Sequence, residues 1–187
     1  MRTFIAIFPP PEIRESLLEA ARGLSAEQNI RWSRPENVHL TLKFLGEVPE
    51  ENLDGVRGVL GRICERRGPF EAAISGFGAF PSSRKARVVW ADITEGRDAL
   101  RALAEDLEGS LASLGFARET RHAFRPHVTL GRARGRPVGL ELAETGPRGL
   151  RFPVREVVLV RSVLGEAGAA YSALASYPLS EGGDQRS

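Results

Sequence analysis

Histidine is scarce in this chain, three in 187 residues. Two of the three open the same four-residue stretch: His39-Leu40-Thr41-Leu42 recurs in the second half as His127-Val128-Thr129-Leu130. In a β-strand, residues i and i+2 share a face roughly 6.6 Å apart, so each stretch presents an imidazole beside a hydroxyl and turns its apolar residues inward. An imidazole titrates near pH 6.5, so a facing pair can hold one neutral and one protonated ring. The neutral ring takes a proton from a nucleophile while the imidazolium gives one to a leaving group, and a phosphoryl group between them is attacked in line. The hydroxyls of Thr41 and Thr129 would bind its non-bridging oxygens, where negative charge must be stabilised. Such chemistry needs neither a covalent nucleophile nor a metal. Catalytic zinc usually has three protein ligands, and the sequence shows no carboxylate cluster beside the histidines, so no metal and no cofactor are expected. A lone His-x-Thr in a strand is ordinarily structural; its recurrence is what carries weight.

The elements that must position these stretches follow from periodicity. Thr3 to Phe8 is β-branched and aromatic and stops at Pro9-Pro10-Pro11, which predicts a buried strand and a turn. Ile13, Leu17, Leu18, Ala21 and Leu24 fall at helical spacing behind Pro11 and Glu12, the residues favoured at a helix start. Ile30 to Trp32 reads as a short strand and Ser33 to Asn37 as a loop. Val38 to Leu45 alternates, with Val38, Leu40, Leu42 and Phe44 assigned to a core face and His39, Thr41, Lys43 and Leu45 to the other. A helix follows over Pro49 to Cys64, then a strand over Phe70 to Phe80.

The second half begins like the first. Arg87 to Ile93 is a strand, Arg97 to Leu114 a helix with Leu100, Leu103, Leu107, Leu111 and Leu114 on one stripe, and His127 to Leu130 the second motif strand. Gly131 to Pro137 reads as a basic, glycine-rich turn, Phe152 to Leu164 as the most β-like run of the chain, and Tyr171 to Leu179 as a last strand. Arg34-Pro35 and Arg125-Pro126 precede the two histidines alike. A duplication explains this order. It predicts a single domain over residues 1–180, with a first repeat of about 1–81, a second of about 86–180, and a frayed tail at 181–187. The symmetry is imperfect, because Pro137 to Arg151 has no equivalent of the Pro49 to Cys64 helix.

Hydrophobic residues at 42% and charged residues at 27% are ordinary for a folded globular chain and argue against disorder. The net charge is +2, and of 26 basic residues only Lys43 and Lys85 are lysine. Arginine's planar fork matches phosphate, so the bias permits a phosphate-bearing partner without requiring one. Cys64 is the only cysteine, which excludes an internal disulfide and fits a reducing cytoplasm. Met1 to Phe8 is too short for a signal peptide's apolar region or a membrane span, and no later stretch approaches spanning length.

Two His-x-Thr-Leu stretches in a chain that opens with Phe4-Ile5-Ala6-Ile7 resemble the 2H phosphoesterase superfamily. More narrowly, Arg31-Trp32 and the run Arg34-Pro35-Glu36-Asn37-Val38-His39-Leu40-Thr41-Leu42-Lys43-Phe44-Leu45-Gly46 resemble the RNA 2′,3′-cyclic phosphodiesterase branch, also called 2′-5′ RNA ligase-like. Phe124 to Arg132 resembles that branch's second motif, and the resemblance continues through Ser162, Leu164, Gly168 and Tyr171. It implies a bilobal α+β fold of two pseudo-symmetric lobes, each an antiparallel sheet flanked by helices, around a central cleft. It implies metal-independent hydrolysis of a terminal 2′,3′-cyclic phosphate to a 2′-phosphate, with His39 as proton donor, His127 as proton acceptor, and Thr41 and Thr129 on phosphate. Some members of the branch also join 2′-5′ linkages in RNA. The partners expected are RNA or oligonucleotide ends, with no membrane, for a monomer.

Other residues remain two-sided. Arg125 and Arg132 flank the second motif and either reach phosphate or merely keep a strand edge soluble. Trp32 and Tyr171 either stack on a base or pack, whereas alternation assigns Phe44 to the core. His122 reads as a solvated loop residue, and the Arg132 to Arg136 run as either a solvated turn or an RNA groove. Two other functions compete: a 2H enzyme acting on a small cyclic nucleotide, since the motifs read phosphate and not base, and a non-catalytic RNA-binding module. The second leaves unexplained why His and Thr recur in register.

Overall fold

The prolines place the first turn. Strand β1 (Arg2–Ile7) stops ahead of them, and Pro11 takes the first position of α1 (Pro11–Arg22), where its missing N–H costs nothing. The computed structural model describes residues 1–24, 29–142, 146–165 and 168–180; the tail expected to fray, 181–187, lies outside them. The chain continues through β2 (Ile30–Trp32), β3 (Leu40–Glu47), α2 (Leu53–Cys64), β4 (Phe70–Phe80), β5 (Val88–Glu95) and α3 (Arg97–Ala112). It ends with β6 (His127–Ala133), β7 (Leu150–Val154), β8 (Glu156–Gly165) and β9 (Gly168–Pro178). The expected run from Phe152 is thus two strands, broken at Arg155. Pro153 is tolerated in β7 because β7 lies at the edge of the sheet, where a missing N–H disrupts no second ladder.

The fold is α+β, built on one antiparallel sheet in the order β7-β4-β5-β6-β3-β1-β8-β9, with β2 added beside β6. Four strands lie on each side of the β6–β3 joint, and that joint is a single bridge, Leu40 to Val128. Read outward from it, the halves match: β3 and β6, then β1 and β5, then β8 and β4, then β9 and β7. Strand β4 follows the first motif in sequence yet pairs with β5, and β8 follows the second yet pairs with β1. Each half of the chain lends strands to the other's side of the sheet.

All three helices cover one face. Leu17 and Leu18 of α1, Val56 and Leu60 of α2, and Leu103 and Leu107 of α3 share a core with Ile5, Leu40, Ile74, Ile93, Val128 and Leu159 of the sheet. The opposite face carries a second, smaller cluster of Phe4, Ala6, Val158 and Val160. No helix among the described residues is long and apolar enough to cross a membrane. Cys64 is free and buried among the core residues.

Candidate active site

The Leu40–Val128 bridge puts the two motifs side by side. Continuing that antiparallel register one step each way faces His39 with Thr129 and Thr41 with His127, on the sheet face away from the helices. Each ring is held by the backbone two residues upstream: His39 Nδ1 lies 2.7 Å from the Asn37 carbonyl oxygen, and His127 Nδ1 lies 2.7 Å from that of Arg125. A carbonyl only accepts, so both Nδ1 atoms carry a proton and both Nε2 atoms are left to exchange one. For His39 that atom meets Thr41 Oγ1 at 3.1 Å.

At the last residue of each motif the strand carries one extra residue. Thr41 pairs with Ala6 but Lys43 with Ile5, so Leu42 is bulged; Thr129 pairs with Trp90 but Gly131 with Val89, so Leu130 is bulged. A bulge inverts the alternation after it. Lys43 therefore turns toward the helices, 6% exposed, where it pairs with Glu108 at 2.8 Å and donates to the Ala117 carbonyl at 2.9 Å. Phe44 turns onto the histidine face and is 68% exposed, which corrects its assignment to the core. In the second strand Gly131 takes the inward place and leaves room for Trp32, whose ring would lie 2.7 Å from a Cβ there. Arg132 takes the outward place, within β6 rather than in the expected turn. Phe44 and Arg132 occupy equivalent positions with opposite chemistry.

The two histidines consequently have different walls. Phe4, Phe8 and Tyr171 surround the His39 ring at centroid distances of 4.8, 5.6 and 5.3 Å. A recess of about 300 Å³ continues from Phe8 and Tyr171, lined also by Arg14, Glu36 and Glu156. His127 instead meets Phe80 at 5.4 Å and Trp90 at 5.9 Å, and the Arg125 guanidinium sits 4.4 Å over the Trp90 ring. Asp92, paired with His127 in register, is bonded to Arg97 through Oδ2 at 2.8 Å.

Burial lowers the pKa of both imidazoles, since it disfavours the charged ring. The Asn37 carbonyl opposes this at His39, where the charges of His127 and Arg132 lower it further. The Arg125 carbonyl opposes it at His127, where the Arg125 and Arg132 charges lower it and Asp92 raises it. Arg132 is the one arginine felt by both rings.

The chain has relatives of known family. The sequence model of the family "LigT like Phosphoesterase" matches residues 7–90. A Thermus thermophilus protein named RNA 2′,3′-cyclic phosphodiesterase is 34% identical, over 96% of this chain and 90% of that protein. One of the same name from Thermotoga maritima is 35% identical over 93% of each. This chain belongs to the LigT-like phosphoesterases. The crystal structure of TT0787 from Thermus thermophilus superposes on 98% of this LigT-like phosphoesterase and on all of that chain, with a TM-score of 0.84 at 33% identity. E. coli LigT complexed with 3′-AMP gives 0.83 at 29% identity, covering 95% of this chain and 97% of that one.

In this LigT-like phosphoesterase, His39, Thr41, His127, Thr129 and Arg132 share one face, while Arg125 is occupied with Trp90. His122 is exposed in the loop before β6. Tyr171 stands against His39, whereas Trp32 packs on the main core. Phe4, Phe8, Trp90 and Asp92 escaped the sequence reading. A signal existed, since Phe4 and Ala6 alternate on one side of β1 with Phe8 following in phase just past its end, and Trp90 and Asp92 alternate on one side of β5.

Proposed function

We propose that this chain hydrolyses the 2′,3′-cyclic phosphate at RNA ends to a 2′-phosphate, with His39 as general acid and His127 as general base. Two tethered imidazoles whose Nε2 atoms alone remain for proton exchange, with Arg132 beside both, carry the reading. Water attacks phosphorus opposite O3′ and passes its proton to His127 Nε2. The P–O3′ bond breaks and His39 Nε2–H protonates the departing alkoxide, so the ring opens with both rings' protonation exchanged. Thr41, Thr129 and Arg132 bind the non-bridging oxygens as charge builds there, and Arg125 adds a cation at the rim. A 5′-hydroxyl in the place of water would give a 2′-5′ linkage by the same displacement.

The unequal walls support unequal roles. The nucleoside lies among Phe4, Phe8, Phe44 and Tyr171, which puts its O3′ near His39 and leaves the water to His127. We read the two four-stranded sides of the sheet as lobes and the motif face as the cleft between them. Both histidines come from one chain, so a monomer suffices, and the free, buried Cys64 fits a cytoplasmic setting. That proteins named RNA 2′,3′-cyclic phosphodiesterase span nearly all of this chain supports the substrate, as does a LigT solved with 3′-AMP.

The test is product identity in excess chelator. A nucleoside 2′,3′-cyclic phosphate should give the 2′-monophosphate; the 3′ isomer, or activity that depends on added metal, would overturn the mechanism. The roles are tested by replacing O3′ with sulfur, which leaves without help from an acid. His39→Ala should be rescued on that substrate and His127→Ala should not.

A further inference from the structure

The run Arg132 to Arg136, two-sided in the sequence, acquires neighbours in the fold. Past Arg132, β6 leaves the sheet beside the β4–β5 connection, and the two segments are stitched together. Ala133 N–H donates to the Arg87 carbonyl at 2.9 Å, Ala86 and Val138 exchange bonds of 2.8 and 3.0 Å, and Leu140 N–H donates to the Ser83 carbonyl at 2.8 Å. Residues 82–91 and 131–140 together hold Arg84, Lys85, Arg87, Arg132, Arg134 and Arg136 and not one Asp or Glu. All six side chains are exposed.

The bland reading, a solvated arginine-rich edge, predicts acidic residues interspersed with the basic ones. Elsewhere Arg57, Arg67, Arg97, Arg101 and Arg151 each pair with a carboxylate, whereas Arg62, Arg66 and Arg155 pair with none among the described residues, so what sets this edge apart is six basic residues with no acid among them. Among the described residues none of the six pairs with a carboxylate, although the chain as a whole nets only +2 and the remainder of it is therefore acidic. Concentrating unpaired charge costs self-repulsion, which an anionic partner relieves. The patch also starts at the phosphate site, because Arg132 belongs to both. At the other end of the cleft, the recess beside Phe8 and Tyr171 is lined by Glu36 and Glu156 against the single Arg14, a net negative charge that would not attract a chain of phosphates. The cleft thus has a polyanion end and a nucleoside end.

We propose that this edge is the track for the sugar-phosphate backbone of single-stranded RNA running 5′ from the reacting nucleotide. The inference rests on the proposed activity and deepens it by assigning a surface of this chain to the strand that precedes the reacting nucleotide. The patch exposes no aromatic residue, so it contacts backbone and not bases, and binding is independent of sequence.

The test uses the full chain carrying Arg84→Gln, Lys85→Gln, Arg134→Gln and Arg136→Gln, none of which lies in the catalytic machinery. Equilibrium anisotropy of a short labelled single-stranded RNA ending in a 3′-phosphate is followed between about 50 and 200 mM salt. Each lost contact should flatten the log–log salt slope by about 0.7, up to about 3 for four, with tenfold or more weaker binding at the low-salt end. Hydrolysis of a nucleoside 2′,3′-cyclic phosphate should stay within about twofold, and Arg134→Lys with Arg136→Lys should keep most RNA binding. Unchanged RNA affinity and slope in the Gln variant would overturn the proposal. So would equal loss of binding to a blunt RNA duplex, or binding to anionic lipid vesicles in place of RNA. A wild-type protein that binds RNA at this edge but leaves the cyclic nucleotide intact would instead sink the proposed activity alone.

Discussion

Replacing Arg132 with Gln should produce two effects that an arginine kept for solubility would not. Loss of a charge-assisted hydrogen bond to a phosphate oxygen costs about 1.5–3 kcal/mol, which at 1.36 kcal/mol per decade is a roughly ten- to 150-fold fall in kcat/KM. The second effect is on pH. The Arg132 cation repels an imidazolium at either histidine and so lowers both pKa values. Removing it lets both rings protonate at higher pH. The active form has one ring protonated and the other neutral, so the whole bell-shaped profile moves toward alkaline pH. Arg132→Lys keeps the charge but loses the bidentate fork, so it should lose less rate and leave the bell in place. The assay is hydrolysis of a nucleoside 2′,3′-cyclic phosphate from about pH 5 to 9, beside an NMR titration of the imidazole protons. A Gln variant within twofold of wild type, with an unmoved bell, would refute the phosphate-binding role of Arg132 and its action on both histidines.

In the unmodified protein, burial holds both imidazoles low, so kcat/KM should peak below the ordinary imidazole value of about 6.5. The kcat profile should lie at higher pH, because a bound phosphate anion favours the protonated rings, and coincident profiles would contradict this. Thr41→Val and Thr129→Val keep shape but lose the hydroxyl and should each cost on the order of 10²-fold in rate, with His122→Ala silent as the control. Lys43→Met removes a buried cation from Glu108, which is partly exposed and can rehydrate. The cost should be about 1–3 kcal/mol, a fall in Tm of roughly 2–12 °C by calorimetry, with activity unchanged because Lys43 points away from the cleft.

What could be read in advance was what repeats locally. The leucine stripe of α3 and the proline stop of β1 are short-range signals, and both elements stand within a few residues of where the pattern puts them. Strand alternation also placed His39 beside Thr41, because nothing interrupts the pleat between them. Alternation has a phase, however, and one extra residue reverses it. Leu42 continues the apolar–polar alternation between Thr41 and Lys43, so nothing marks it as a bulge, and Phe44 and Lys43 exchange faces without a local sign. The same shift at Leu130 hides Arg132 in an apparent turn. The carbonyls of Asn37 and Arg125, which set the working nitrogen of each histidine, belong to the backbone and leave no mark in side-chain types. Pairing of β8 with β1, from opposite ends of the chain, is a long-range choice that no window of sequence contains.

The exchange of strands has a consequence for how the chain must be made. Strand β1 is synthesised long before β8, yet one of its edges waits for that strand, whose Leu159 and Arg161 pair with Ile5 and Thr3. At a translation rate of about 5–20 residues per second, roughly 8 to 30 s separate the two. Throughout that interval Thr3-Phe4-Ile5-Ala6-Ile7 is an uncharged, β-prone edge with half its backbone groups unpaired, the kind of strand on which neighbouring chains aggregate. A nascent chain released just before Glu156 would contain both histidines, both threonines and Arg132, and still lack the strand that covers β1. Such a product carries every residue of the proposed chemistry and should accumulate as aggregate, not as a slower enzyme.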